Sequence, residues 1–127
     1  MKWGLEGVNR MSESLSQKAL VKWWSITHKS FGLPLFALYA TPNGGARSAI
    51  TGANLKLEGT RKGVPDLTLC VPRNGFHGLY IELKYGKNKL SSEQSDFIAF
   101  LQVQNYQAAV CYDWYAAKQV IEEYLKT

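Results

Sequence analysis

Cysteine and histidine are scarce in this chain, with two of each among 127 residues. A structural zinc site usually takes four such ligands in two close pairs, and Cys70 and Cys111 have no second cysteine pair. The sequence therefore argues against a zinc-stabilised fold. Because each cysteine lies within an apolar run, we expect two free thiols in the core.

Long apolar runs are also missing. No stretch approaches the roughly 20 residues of a membrane-spanning helix, and no secretory signal or internal repeat is visible. A chain of 127 residues is expected to form one domain that buries about two-thirds of its unfolded surface. We therefore expect an intracellular protein without a membrane partner, with an N-terminal extension at residues 1–11 and one domain at 12–127.

Acidic residues are fewer than basic ones, and the net charge is +5. Basic side chains concentrate between residues 47 and 89, where only Glu58, Asp66 and Glu82 oppose them. These basic residues are Arg47, Lys56, Arg61, Lys62, Arg73, Lys84, Lys87 and Lys89. The concentration favours a polyanionic partner such as nucleic acid, although a solvated basic face has the same composition.

Two short apolar runs are each joined to a carboxylate. Gly63-Val64-Pro65-Asp66 precedes the run at 67–71, and the run at 79–81 precedes Glu82-Leu83-Lys84. Short aliphatic or aromatic runs bounded by glycine and proline predict buried β-strands. The turn-rich segment 73–78 is expected to join the two strands as a hairpin.

A carboxylate against a buried strand costs free energy unless it is paired or binds a metal. Two converging carboxylates form an oxygen-rich site that suits Mg²⁺ or Mn²⁺ better than zinc. Glu82 and Lys84 are two residues apart on a strand and share one face, whereas Leu83 points to the core. Lys84 can then orient an attacking water or stabilise charge on phosphate. Pro-Asp is also common in turns and Glu-x-Lys on edge strands, so the prediction rests on their ordered combination.

With these motifs, the chain resembles the VRR-NUC domain family of the PD-(D/E)xK nuclease superfamily over residues 12–125. The resemblance is carried by several blocks in the family's order. They lie at 13–17 with Trp23, 42–45 with Arg47, 57–59, 63–66, 77–84, 90–94 and 105–106.

The resemblance implies a restriction-endonuclease-like α/β fold, with a mixed central sheet flanked by helices around an αβββαβ-type core. It also implies metal-dependent hydrolysis of DNA phosphodiester bonds. Asp66, Glu82 and the main-chain carbonyl of Leu83 would bind Mg²⁺ or Mn²⁺, and Lys84 would be the catalytic lysine. Glu13, on the first helix, matches an acidic position that completes such sites.

Gln94 has two interpretations. It matches a family glutamine on the helix after the catalytic strand, and it also closes a capping box that begins at Ser91. The two roles are compatible if the helix and strand ends adjoin.

Six further residues are candidates for contact with nucleic acid. They are Asn43, Arg47, Arg61, Lys62, Lys87 and Lys89. Asn43 begins a glycine-rich turn that is either structural or a close approach to substrate, and the resemblance favours the second. The lysines after Lys84 are expected to follow the phosphate backbone, which would make affinity depend on salt.

The remaining patterns predict the order α-β-α-β-β-α-β-α. A first helix is expected to begin at Ser12 or Ser14 after a frayed N-terminus, followed by a strand at 35–40 and a helix at 46–58. Downstream of the hairpin, a helix begins at Ser91, a strand covers 106–112, and a last helix is capped by Asp113.

One domain of this size has one active site, and symmetric cutting of both strands needs two, most simply in a C₂ homodimer. The resemblance is to stand-alone phage- or bacterium-encoded members. We therefore predict a homodimeric endonuclease selective for branched DNA such as Holliday junctions, acting in a bacterial cytoplasm. An RNA-processing nuclease and a non-catalytic DNA-binding module are the alternatives. A sequence-specific restriction enzyme is less favoured, because the chain is short.

Overall fold

The structure is a computed structural model that describes residues 2–42 and 49–126, with side chains at 13–42 and 51–126. Eight helices and strands follow the predicted order, with two 3₁₀ turns, His28–Phe31 and Leu35–Ala37, before the first strand. They are α1 (Lys2–Thr27), β1 (Leu38–Ala40), α2 (Ala49–Leu57), β2 (Leu67–Leu69), β3 (Leu79–Leu83), α3 (Ser92–Val103), β4 (Gln107–Cys111) and α4 (Trp114–Tyr124).

The strands form one mixed sheet in the order β1-β2-β3-β4. β2 pairs antiparallel with β1 and with β3, whereas β3 and β4 are parallel and are connected through α3. A parallel pair needs such a crossover, because its strands start at the same edge of the sheet. The predicted mixed sheet flanked by helices is confirmed.

The β2–β3 hairpin is confirmed as predicted. Arg73 and Phe76 exchange two main-chain hydrogen bonds, of 3.1 and 2.8 Å, across the intervening Asn74 and Gly75. Both intervening residues have positive φ, 53° and 83°, which a type I′ turn requires and Asn-Gly supplies. The strands pair Leu67 with Ile81, so the segment between β2 and the turn contains one residue more than the segment between the turn and β3.

One face of the sheet forms the hydrophobic core. Side chains at alternate positions of β2 and β3 pack against α1 and α4. The fully buried members include Leu67, Leu69, Leu79, Ile81, Leu83, Leu20, Trp24, Ile121 and Tyr124. Because side chains alternate along a strand, the residues between these positions lie on the opposite face, which places the carboxylates away from the core.

Several boundaries differ from the prediction. α1 begins at Lys2, so Ser12 and Ser14 lie within the helix and do not cap it. A helix anchored by packing of its later turns extends at little cost through residues that contain no proline. β1 is short because residues 35–37 form a 3₁₀ turn after Pro34.

The two cysteines differ in burial. Cys111 lies in β4 and is buried as predicted, whereas Cys70 is exposed. Cys70 follows the last residue of β2 and lies between the buried Leu69 and Val71, so it faces away from the core, and its Sγ donates to the carbonyl of Ala37 at 3.5 Å. Asp113 caps α4 as predicted, accepting from the Ala116 N–H at 2.7 Å.

Within the residues that the structure describes, no helix is both long enough and apolar enough to span a bilayer.

Candidate metal and catalytic site

Asp66 and Glu82 lie together at one end of the β2–β3 pair. Extending the Leu67–Ile81 register by one residue places Asp66 opposite Glu82 on the same face of the sheet. The Oδ2 of Asp66 accepts the main-chain N–H of Leu83 at 2.8 Å. The structure therefore brings together the two carboxylates that the sequence analysis paired.

Glu82 carries the strongest electrostatic perturbation at the site. Glu82 is 3% exposed, and its Oε1 is buried without a hydrogen-bond partner among the described residues. Burial, followed by the charge of Asp66, raises the pKa of Glu82 to about 8, and the ammonium of Lys84 opposes this. A buried carboxylate oxygen without a donor, next to a second carboxylate, is an arrangement that a cation would stabilise.

Lys84 lies on the same face as Glu82, as the two-residue spacing predicted. Its Nζ is 3.9 Å from Glu82 Oε2, and its side chain is 12% exposed. The ammonium is therefore held close to the carboxylates, at the partly open side of the site.

Gln94 closes the predicted capping box and also contacts Glu82, so the helix start and the strand end adjoin. Its Nε2 donates to Glu82 Oε2 at 3.1 Å, while its Oε1 accepts the main-chain N–H of Ser91 at 2.8 Å. The Oγ of Ser91 in turn accepts the Gln94 N–H at 3.1 Å, which completes the capping box. One amide thus fixes the start of α3 and orients the buried carboxylate.

The main-chain carbonyl of Leu83 belongs to the end of β3 at which Glu82 lies. Along β3, successive residues direct their main-chain N–H and C=O groups alternately towards β2 and β4. The N–H of Lys84 donates to the Cys111 carbonyl on β4 at 2.8 Å, so residues 79, 81 and 83 direct theirs towards β2. Pro65 stands opposite Leu83 in this register and has no N–H to donate. The Leu83 carbonyl therefore lacks its ladder donor from β2 at the point where Asp66 lies.

Glu13 lies on an exposed position of α1, yet its charge contributes to the raised pKa of Glu82. This contribution is the smallest of the causes, after burial and the charges of Asp66 and Lys84. Across residues 13–42 and 51–126, no three His, Cys, Asp or Glu side chains come together as a metal cluster. The described site is thus a carboxylate pair, to which Glu13 adds only a small electrostatic contribution.

The predicted basic residues separate into groups. Arg61 and Lys62 line a cleft that also reaches Gln94, and the Arg61 guanidinium donates to the Thr60 carbonyl at 3.4 Å. Lys87 and Lys89 are exposed on the segment that follows Lys84.

Two of the predicted contacts, Asn43 and Arg47, lie outside the described residues. Arg73 belongs to the hairpin turn at the far end of the strands from Asp66, so it is not part of the basic surface around the site. Its position in the sequence fell between the two strands, and the folded hairpin carries it away.

Gly63 is a positioning residue that the sequence analysis did not identify. Its φ is +89°, and a Cβ there would lie 2.5 Å from the Glu93 carbonyl oxygen and 3.0 Å from the Gln94 N. Only glycine permits this approach of the segment before β2 to the first turn of α3. Its place two residues before Pro65 was the available signal, but the contact partner is distant in sequence.

The VRR-NUC domain model matches residues 10–114, and the chain belongs to this family, which is a nuclease-type domain. A solved structure described as a VRR_NUC domain protein is similar, with a TM-score of 0.77 and 25% identity. The similarity covers 91% of this chain and 88% of that one. No curated protein matches the chain.

Proposed function

We propose that this protein is a divalent-metal-dependent endonuclease that hydrolyses DNA, with its active centre at Asp66, Glu82 and Lys84. The observation that carries the proposal is the buried, unpartnered Oε1 of Glu82 beside a second carboxylate. A DNA-binding module gains nothing from a buried acid whose ionisation is opposed by burial and by a second acid beside it. A hydrolase gains a cation site there, which favours the enzyme over the non-catalytic module.

The donor atoms fit Mg²⁺ or Mn²⁺. Asp66, Glu82 and the Leu83 carbonyl offer hard oxygen ligands, and Mg²⁺ is commonly bound by one or two carboxylates together with waters and substrate phosphates. A bound ion would supply neutralisation of phosphate charge and a more acidic water molecule. With both carboxylates ionised, the two acids and Lys84 carry one net negative charge, which repels a phosphodiester; a divalent ion reverses that sign.

The protein's own groups supply orientation and charge. The Leu83 N–H holds Asp66, and the Gln94 amide holds Glu82, so both carboxylates are preorganised before substrate arrives. The Lys84 ammonium, 3.9 Å from Glu82 Oε2, would orient the attacking water and stabilise charge that develops on the phosphate. Glu13, from α1, is assigned to assist from the outer side of the site.

We further propose that the substrate is branched DNA, such as a Holliday junction, and that the active form is a C₂ homodimer. Arg61, Lys62, Lys87 and Lys89 are exposed near the centre and fit contact with the phosphate backbone. Asn43 and Arg47 remain predicted contacts on sequence grounds.

The test is cleavage of matched junction, flap, duplex and RNA substrates with Mg²⁺, Mn²⁺ or EDTA. The wild type should cut branched DNA only with metal, and Asp66→Ala, Glu82→Ala and Lys84→Ala should each abolish cutting while DNA binding and folding persist. Light scattering should give a dimer. Full activity of any one variant rejects the assignment, and preferential cutting of the RNA substrates would transfer the same chemistry to the RNA-processing alternative.

A further inference from the structure

A cleft of about 790 Å³ lies beside the candidate site and has no role in the chemistry described above. Its described walls come from α2, from segment 60–64 and from the first turn of α3. Gly63 and Gln94 both line it, so the cleft opens next to the amide that holds Glu82. Its volume is within the range of about 300–1,000 Å³ that is usual for small-ligand sites.

The cleft has an apolar lining and a charged margin. Gly52, Ala53, Leu55 and Val64 give an apolar lining, whereas exposed cations stand around it. Those cations are Lys56, Arg61 and Lys62, and Glu93 adds a single carboxylate to the described wall. An apolar interior with cations at its exposed margin complements a nucleotide, which has an apolar base face and an anionic phosphate.

A second cavity, of about 480 Å³, extends the same surface. It shares Leu55, Arg61 and Val64 with the first cleft and adds the aromatic ring of Phe97. Aromatic and aliphatic side chains are the groups on which proteins stack bases that have left a helix. A base inside a duplex is stacked on both sides and does not reach such a cleft, whereas an unpaired base at a branch or flap does.

We propose that this cleft binds one unstacked nucleobase of the strand whose scissile phosphate lies at Asp66 and Glu82. The inference rests on the proposed function and deepens it. It makes an unpaired nucleotide next to the cut the recognised feature of the substrate. Selectivity for branched DNA then follows from the base that the branch releases.

The test combines two changes, removal of one base from the DNA and occlusion of the cleft in the protein, and compares their separate and joint effects on binding. Gly52→Trp and Ala53→Trp place an indole in the cleft from α2, and a Cβ at Gly52 meets no atom within 4 Å. Leu57→Trp is the matched control, because it adds the same ring to the same helix at an exposed position that lines neither cavity. Equilibrium binding is measured in Ca²⁺, on junction and flap DNAs with one abasic residue placed in turn at each nucleotide near the branch.

Removing the recognised base should weaken wild-type and Leu57→Trp binding by roughly 5- to 100-fold at one position, which is the range for loss of one stacked base. Gly52→Trp and Ala53→Trp should bind intact DNA as weakly as wild type binds that abasic DNA. Removing the base should not weaken the binding of these two variants any further. The cleft inference is overturned if base removal weakens binding equally in all four proteins, or if no abasic position weakens wild-type binding. Either result leaves the proposed function standing. Absence of DNA binding by the wild type overturns both, and thermal unfolding confirms that each variant is folded.

Discussion

The raised pKa of Glu82 predicts that the metal-free protein loses stability as the pH rises. Below the ordinary pKa of 4.5, Glu82 is protonated in both the folded and the unfolded state and contributes no difference. Between 4.5 and about 8 the unfolded state loses its proton first, so the free energy of unfolding falls, and the loss is complete above pH 8. At about 1.4 kcal/mol per unit of pKa, the ceiling of this loss is about 5 kcal/mol.

Glu82→Gln removes the ionisation while keeping the size of the side chain and an oxygen for the Gln94 amide. In EDTA the variant should be more stable than wild type at about pH 9, and the difference should shrink at about pH 6. For a domain of this length, each 1 kcal/mol corresponds to about 4 °C in Tm. Thermal unfolding followed by circular dichroism at the two pH values measures the effect.

Glu123→Gln is the control, because this carboxylate is 76% exposed and its ion pair with Lys126 is worth little. Burial raises the pKa of the Cys111 thiol to about 11, which lies above the window used. Added Mg²⁺ should restore the wild type at high pH and leave Glu82→Gln unchanged. A variant whose Tm follows the same pH dependence as the wild type in EDTA would refute the electrostatic account of the site.

Three further substitutions test the supporting contacts. Gln94→Ala should lower cleavage by about 10- to 100-fold, the usual effect of removing a group that orients a metal-binding side chain. Ser91→Ala removes only the helix cap, so it should cost about 1 kcal/mol of stability and little activity. Equal activities of the two variants would contradict the role of the Gln94 contact with Glu82. Gly63→Ala should destabilise more than Gly59→Ala, since both have positive φ but only Gly63 abuts α3, and equal Tm values would show that this contact is unimportant. Pro65→Ala adds an N–H opposite the Leu83 carbonyl, which we propose as a metal ligand, so half-maximal cleavage should require more Mg²⁺; an unchanged requirement would contradict that role for the carbonyl.

Much of the fold could be predicted because its signals are local. The Asn-Gly turn, the capping box at Ser91 and the Asp113 cap act within a few residues, and the Asn-Gly turn joins β2 to β3. The turn alone does not set which residues of the two strands face each other, because the Arg73–Phe76 pair is offset by one residue from the Leu67–Ile81 register. That register, which places Asp66 opposite Glu82, also depends on which face of each strand is buried. Boundaries such as the start of α1 were wrong because tertiary packing of the later turns decides how far the helix extends.

The supporting contacts of the site could not be predicted in the same way. Gly63 touches a turn of α3 that lies thirty residues later in the chain, and Gln94 reaches Glu82 only when α3 crosses to the parallel strand. Such contacts depend on how elements are stacked, which no short pattern encodes. The sequence could show that Gln94 suits a cap, but its second hydrogen bond appears only in the folded arrangement.

Mn²⁺ titration by calorimetry tests the central claim most directly, using two buffers of different ionisation enthalpy at about pH 7. Because the pKa of Glu82 is about 8, the wild type should bind the ion with release of close to one proton. Asp66→Asn and Glu82→Gln should each lose that binding. Unchanged Mn²⁺ affinity in both folded variants would contradict the assignment of this carboxylate pair as a metal site.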